Sequence, residues 1–445
     1  MPFIPNTNAD RAAMLTTIGV ESVADLFNDI PSSLLAHASL DLPPALSELE
    51  LYQQADALAA QNDSGARMPS FLGAGCYDHF VPSIVRHVMM RGEFLTAYTP
   101  YQAEASQGTL QVIYEFQSLI AELTGMELAN ASLYDGASGL AEAVLMATAI
   151  TGRNRVLIPP TVHPNYRRVV ESYCQSLPIQ IVDVGPAASQ SAVDLASFLD
   201  DSTAALVVQQ PNFFGIIEDM QPLAEAAHAK GALLIAVVNP MTLGLLKPPG
   251  EYDADIVVGE GQPLGIAMSL GGPGVGLFAC KKKFARYAPG RIVGATTDAA
   301  GRRGFVLTLQ TREQHIRREK ATSNICTNQG LFALAAGTYL NAMGPSGLRQ
   351  IANLCVQKTH YAAERIAALP GYSLAFDAPF FHEFVVRCPW PAREINAKLH
   401  EQGIIGGCDL GRDYPGMDDC MLLCVTEKRT KAEIDGLVAA MSVQR

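Results

Sequence analysis

Several stretches of this sequence carry residues whose types and spacing could do chemistry. "YDGASGLAEA" is a glycine/serine turn feeding a helical pattern, with Gly136, Ser138 and Gly139 able to present backbone N–H groups to an anion. Its plainer reading is an ordinary helix start. His163 follows the apolar run "RVLIPP", where an imidazole could stack on a planar ligand or serve as a polar loop residue. "AYTPYQAEASQG" sets Tyr98, Tyr101, Gln102, Glu104 and Gln107 ahead of a helix. "REKATSNICTNQG" sets Lys320, Ser323, Asn324, Thr327 and Asn328 in a second polar loop, with Arg312, Arg317 and Arg318 upstream. Tyrosines of the first loop could wall a small-molecule site. Hydroxyls and amides of the second could hold a phosphate. As local structure alone, the first loop is packing at a helix start. Thr327 or Asn328 then caps "QGLFALAAG", and the arginines form a solvated helix face.

Metal and nucleotide chemistry find little support. The 9 cysteines are scattered, with no CxxC pair and no His/Cys cluster at zinc spacing. That usage suits a reducing compartment. Cys420 and Cys424 in "CMLLC" read as part of a buried strand. "SLGGPGVG" lacks the lysine and hydroxyl of a nucleotide loop, so its glycines read as permitting close backbone approach before "VGLFAC".

The 445 residues suffice for two domains, or one large domain with a smaller appendage, and at 49% hydrophobic they can bury a sizeable core. Charged residues are 17%, which hints at surface covered by other subunits. A net charge of −12 repels phosphate backbones, so no nucleic-acid partner is expected. "MPFIPNTNADR" lacks the regions of a signal peptide. The longest apolar run, "GALLIAVVNPMTLGLL", is broken by Asn239 and Pro240 and is too short for a membrane span. A cytoplasmic location with no membrane partner is the expectation.

The elements that must position these residues fall into three parts. Residues 1–67 read as an N-terminal helical arm: "NADRAAMLTTIG", "ESVADLFNDI" and "PPALSELELYQQADALAAQN", the last with proline at its start. Residues 68–328 read as a large α/β domain. Val112, Ile113, Phe116, Leu119, Ile120 and Leu123 share one helical face, and a further helix runs from about Ser138. "RVLIPP", "TAALVVQQP", "ALLIAVV", "DIVVGE" and "VGLFAC" are continuously apolar, as parallel strands covered on both faces are. Residues 329–445 read as a small C-terminal α+β domain.

This large-then-small layout resembles the aspartate aminotransferase-like, fold type I pyridoxal-phosphate enzymes. Such chemistry needs a lysine for the Schiff base, an acid beside the pyridine nitrogen, a stacking ring and a helix start for the phosphate. Gly136, Ser138, Gly139 and His163 supply the last two in outline. The acid would stand near Val237 or Val238, and both are aliphatic. The lysine would stand near Gln262, and none occurs between Lys247 and Lys281. Lys247 precedes its strand and reads as a surface contact. The fold therefore reads as catalytically degenerate on its own, with vestigial cofactor-binding positions.

"FLGAGCYDHFVPSIVRHVMMRGEFLTAYTPYQAEASQGTLQVIYEFQSLIAELTGM", "LYDGASGLAEA", "DIVVGEGQPLGI", "REKATSNICTNQ" and "GIIGGCDLGR" closely resemble the N-terminal subunit of the glycine-cleavage P-protein family, over essentially the whole chain. In that family many bacteria divide the enzyme, and the second subunit keeps the lysine. The resemblance implies a heterotetramer in which the partner holds pyridoxal phosphate covalently. Glycine loses its carboxylate as carbon dioxide, and the aminomethyl group passes to the lipoyl arm of H-protein. It also implies a site at the subunit interface, to which Tyr98, Tyr101, Gln102, Glu104, Gln107, Ser323, Asn324 and Thr327 are the candidates. Two rivals remain open: a non-catalytic scaffold or regulatory pseudo-enzyme, and a self-sufficient enzyme using Lys247.

Overall fold

The computed structural model describes residues 5–35, 41–185, 195–321 and 323–442. The first residues of "MPFIPNTNADR" and Thr322 of the second polar loop lie outside them. The chain divides into two compact units, Met1–Asp63 and Ser64–Arg445.

In the first unit, helices Asn8–Ile18 and Glu48–Ala59 both start in reciprocal capping boxes, Thr7 with Asp10 and Ser47 with Glu50. The second helix thus begins at the Ser47 cap and not at Pro43 or Pro44, because the cap satisfies N–H groups that proline cannot. "ESVADLFNDI" forms only a 3₁₀ turn, Val23–Phe27. Neither α-helix buries a residue, and Ile18, Leu49, Tyr52 and Leu58 stand exposed.

The second unit is built on a sheet of β1 (Leu128–Ala129), β2 (Arg155–Ile158), β3 (Gln180–Asp183), β4 (Thr203–Gln210), β5 (Leu233–Val238), β6 (Ile256–Glu260) and β7 (Gly276–Cys280). The spatial order is β1-β7-β6-β5-β4-β2-β3. β2 to β6 run parallel, whereas β7 pairs antiparallel with both β6 and β1. The expectation of parallel pairing fails at β7 because the connection from Glu260 to Gly276 holds no crossover helix. Alternate strand residues enter opposite cores. Leu157, Leu206 and Leu234 pack with Phe116 and Ile120 of helix Gln107–Thr124, whereas Val156, Val207 and Ile235 pack with Leu140 and Val144 of helix Gly136–Thr151. Both faces are buried, which is why the strands are apolar throughout.

A hairpin of β8 (Ile292–Thr297) and β9 (Arg303–Thr308) covers the start of helix Gln107–Thr124, where Gln107 bonds both Phe305 N and Phe305 O. Its exposed, polar tip gave no strand signal. Helix Gly330–Ala367 leads to the C-terminal part and breaks at Gly344 before Pro345, whose ring cannot continue the helix. Neither Thr327 nor Asn328 caps that helix. Gln329 stands at the N-cap without a side-chain bond, and Asn328 instead donates to Ala131 O at 2.9 Å. The arginine-rich stretch is also not a helix face. It breaks into Gln310–Arg312, Gln314–Arg317 and Arg318–Lys320, with Arg312 held by Ala288 O and by Gly290 O at 3.0 Å.

The second sheet has β10 (Ser373–Leu374), β11 (Glu383–Arg387), β12 (Cys408–Asp409) and β13 (Cys420–Cys424) in the order β10-β11-β13-β12, all antiparallel. Helices Ala392–Glu401 and Lys431–Met441 pack on it. β13, the "CMLLC" strand, is buried throughout, and its cysteines are free. Among the described residues no helix is long and apolar enough to cross a membrane.

Candidate functional site

The carboxyl ends of the parallel strands and the start of helix Gly136–Thr151 meet where this architecture places a ligand. Asp135 is the helix N-cap. It accepts from Ser138 N at 2.7 Å, and Ser138 Oγ closes the capping box. The next free N–H, that of Gly136, donates to Glu260 Oε2 at 3.0 Å. Glu260 Oε1 accepts from Gln262 N and Val275 N, both at 2.9 Å. Three backbone donors from three segments thus converge on one partly buried carboxylate. Burial pushes the Glu260 carboxyl up to about 7, against those hydrogen bonds. Tyr166 seals the cradle: a methyl group at Gly136 would lie 2.2 Å from its hydroxyl. Gly276 lets β7 pass beside Asp135, because a methyl there would lie 2.4 Å from Asp135 O. That accords with the close-approach reading of "SLGGPGVG".

His163 lies at the start of helix Pro164–Cys174. Its Nδ1 accepts from Asn165 N at 3.0 Å, so Nε2 carries the proton and donates to Ala74 O at 2.8 Å. Burial depresses its pKa and keeps it neutral. Tyr166 stacks on the ring at 5.0 Å, and Gly75 crosses it so closely that a methyl there would lie 2.7 Å from Nε2. Residues 73–80 form a strap over the site. Gln262, at the place considered for a lysine, accepts from Tyr77 N at 2.9 Å and donates to Tyr77 O at 3.0 Å and Ile266 O at 2.7 Å. Glu383 accepts from Ala74 N at 2.7 Å and Tyr77 Oη at 2.8 Å. Asp78 pairs with Lys428 at 2.5 Å and Arg429 at 3.0 Å, and Glu427 accepts from His79 Nδ1 at 2.6 Å.

Between His163, Val237, Val238, Asn239, Tyr77 and Glu383 lies a cavity of about 40 Å³, room for water. A larger, open one of about 640 Å³ adjoins it, lined by Gly75, Asp135, His163, Tyr166, Glu260 and Gln262. Val237 and Val238 bring no acid to the smaller one. Lys247 stands on the surface, with Nζ 3.5 Å from Gln221. The residues present do not fit pyridoxal phosphate for a chemical reason: no lysine stands at the place considered for it, no acid ends β5, and the backbone donors of the cradle are already taken by Glu260.

These buried carboxyls make stability depend on pH. Burial raises Glu383 to about 7. A folded-state pKa above the unfolded one gives stability that is complete below the ordinary carboxylate range and is lost as pH rises through the folded pKa. We expect the stability of the wild type relative to Glu383→Gln to fall by up to about 1.4 kcal/mol per pH unit between pH 5 and 7 and then level off. Urea unfolding of both proteins across that range checks it, and a flat difference would show that Glu383 is ionised throughout.

The interface candidates lie elsewhere on this unit. Tyr98 is 83% exposed and Tyr101 54%, and Gln102 and Glu104 are also exposed. Gln107 has the bracing role described above. Tyr101 is fixed by Arg291, whose Nη2 donates to its hydroxyl at 3.3 Å and whose guanidinium lies 5.4 Å from its ring centroid. Arg291 is 3% exposed, with Nε 3.6 Å from Glu313, while His315 packs edge-on against Tyr101. Arg291, Arg312, Glu313 and Ser323 line one small pocket. Arg291 thus touches Tyr101 and also lines the pocket that Ser323 lines. Ser323 Oγ accepts from Ile325 N at 3.1 Å and also bonds the buried Glu142. Asn324 is exposed with a long contact to Gln314, and Thr327 is half-buried. Sequence reasoning missed Arg291, Glu313, Tyr166, Glu260 and the strap. Arg291 gave no signal in "APGRIVG", whereas Glu260, an acid ending an apolar strand, was visible and passed over.

The family model described as "Glycine cleavage system P-protein" matches residues 1–441. A protein of Thermomicrobium roseum named "Probable glycine dehydrogenase (decarboxylating) subunit 1" is 57% identical over 445 residues, covering 99% of both chains. A protein of the same name from Desulforamulus reducens is 54% identical over 442 residues, again with 99% of both covered. A crystal structure of glycine decarboxylase (P-protein) of the glycine cleavage system, in inhibitor-bound form, superposes with a TM-score of 0.92 at 43% identity, covering 99% of each chain. A Lactobacillus brevis glutamate decarboxylase, 14% identical with a TM-score of 0.67 and 95% and 96% coverage, shares the fold alone. The chain has the fold type I architecture of pyridoxal-phosphate enzymes, and it belongs to the glycine cleavage system P-protein family.

Proposed function

We propose that the chain is the first subunit of a glycine decarboxylase and acts only with a lysine-bearing second subunit, as a heterotetramer in the cytoplasm. The observation that carries this reading is a cradle whose donors are taken by Glu260, with Gln262 where a lysine is needed. A family member so built does its chemistry at another chain's cofactor. Relatives named as a subunit 1 support the partner. The exposed apolar side chains Phe80, Ile84, Met90 and Leu95, close in sequence to Tyr98, support an interface there. We also keep the three-part division at residues 67 and 328 as a proposal, with the first part an arm.

Pyridoxal phosphate, bound by the partner subunit, supplies the electron sink for loss of the glycine carboxylate as carbon dioxide. This chain's residues do the positioning. Tyr101, held by Arg291, walls the glycine site and excludes water beside the arriving lipoyl arm of H-protein, with Tyr98, Gln102 and Glu104 at the rim. Ser323, Asn324 and Thr327 offer hydrogen bonds toward the partner's cofactor phosphate. The aminomethyl group leaves on the lipoyl arm.

The rival is a scaffold that contributes no group to the site. Tyr101→Ala in the assembled complex separates the two. We expect glycine–bicarbonate exchange to fall about 10- to 100-fold, as the loss of a positioning wall does, with the complex intact by size-exclusion chromatography. Unchanged exchange in an intact complex would favour the scaffold.

A further inference from the structure

The filled cradle has a specific chemistry. Gly136 N, Gln262 N and Val275 N point at one place from a helix start, a loop and the entry to β7. Such a convergence of N–H groups, one at the positive end of a 16-residue helix, is an anion site. Its occupant is the carboxylate of Glu260, carried in from the last residue of β6. We propose that this chain retains the phosphate cradle of its fold and keeps it shut with Glu260 as an internal anion, so that removing this one carboxylate opens a site for a phosphate monoester. The inference concerns this chain alone and stands whether or not the interface assignments hold.

The geometry makes Glu260 more than a filler. Its two oxygens take all three donors, so a phosphate oxygen cannot reach them while it is present. A phosphate dianion would also meet its charge, and that of Asp135, in a buried setting where like charges repel strongly. Asp135 is engaged differently. It caps the helix through Ser138 N and leaves the three donors to Glu260. The consequence for the assembly is a division of labour. A chain that could take up pyridoxal phosphate without a lysine would hold it unproductively, and Glu260 prevents that.

The test uses the purified full-length chain, with inorganic phosphate, pyridoxal 5′-phosphate and phosphate-free pyridoxal as probes in equilibrium dialysis at pH 7.5. The wild type is expected to bind none of them at millimolar concentration. Glu260→Ala is expected to bind inorganic phosphate and pyridoxal 5′-phosphate at least about 10-fold more tightly than wild type, a difference of about 1.4 kcal/mol, and to gain nothing for pyridoxal. Asp135→Ser in that background keeps a cap and removes a charge, so phosphate binding should tighten further. Adding Gln262→Lys to Glu260→Ala should give a borohydride-trappable adduct mapped to position 262, with less adduct from Gln262→Lys alone. If Glu260→Ala does not fold by circular dichroism, Glu260→Ser, which retains an acceptor, is measured with the same expectation. Phosphate binding by the wild type as tight as by the folded variant would overturn the proposal. So would a folded variant that gains none.

Discussion

Glycine–bicarbonate exchange, assayed with H-protein and pyridoxal phosphate, is expected to be absent from this chain alone and to appear when the lysine-bearing subunit is added. No lysine stands between Lys247 and Lys281 to capture the cofactor. Gln262, at the place considered for one, has its amide committed to Tyr77 and Ile266. The His163 ring, at the place considered for stacking, is flanked by Gly75 and Tyr166. The second subunit alone is expected to give at least about 100-fold less exchange than the mixture, because it lacks the wall we propose for Tyr101 and Arg291, and positioning of this kind is worth that much. Exchange by this chain alone would sink the divided-enzyme reading and turn attention to Lys247, which borohydride trapping and peptide mapping would reveal. Full exchange by the second subunit alone would make this chain a scaffold.

Asp78→Ala is expected to cost about 3–5 kcal/mol of stability, the usual consequence of leaving a buried charge without its partner. Asp78 Oδ2 holds Arg429 at 3.0 Å, and the Arg429 side chain is 4% exposed. Its remaining acid, Glu433, stands at 3.6 Å, and Nε has no acceptor. Thr426 also bonds the Asp78 backbone at 2.7 Å, so the strap and the end of β13 form one polar seam. Replacing Asp78 breaks the seam that holds the strap down. Urea unfolding at pH 7 measures the loss. Asp78→Asn, which keeps one of the two acceptors without the charge, should lose less. A loss below about 1 kcal/mol would mean that water solvates the pair as it does at a surface.

Much of the scaffold was legible in the sequence, for reasons particular to its elements. "TAALVVQQ" and "LLIAVV" could only be strands buried on both faces, since β-branched runs of that length have no polar side to expose. Gly125 and Gly152 end their helices in the left-handed conformation, as glycine there permits. The short edge strands β1 and β3 were not legible, nor was the β8–β9 hairpin. Their pairing depends on neighbours distant in sequence; β1 is only 2 residues long, and β3 and the hairpin are partly polar. The antiparallel turn into β7 was hidden for the same reason, because strand direction depends on the connection and not on composition.

The sequence by itself determined what is missing: no lysine stands between Lys247 and Lys281, and no acid ends β5. Those are facts of identity at a position, readable without coordinates. It also held the long motifs that placed the chain in its family. Only the tertiary structure decided what fills the vacated positions. Glu260, Tyr166, Gln262 and the strap of residues 73–80 are up to 189 residues apart in the chain yet share one cradle. Which donor meets which acceptor is set by folding the sheet and its helices together. Hydrogen bonds act over about 3 Å and carry no signature in local sequence. The same holds for Arg291, an ordinary arginine in sequence, which folding places under Tyr101 and in the pocket that Ser323 lines.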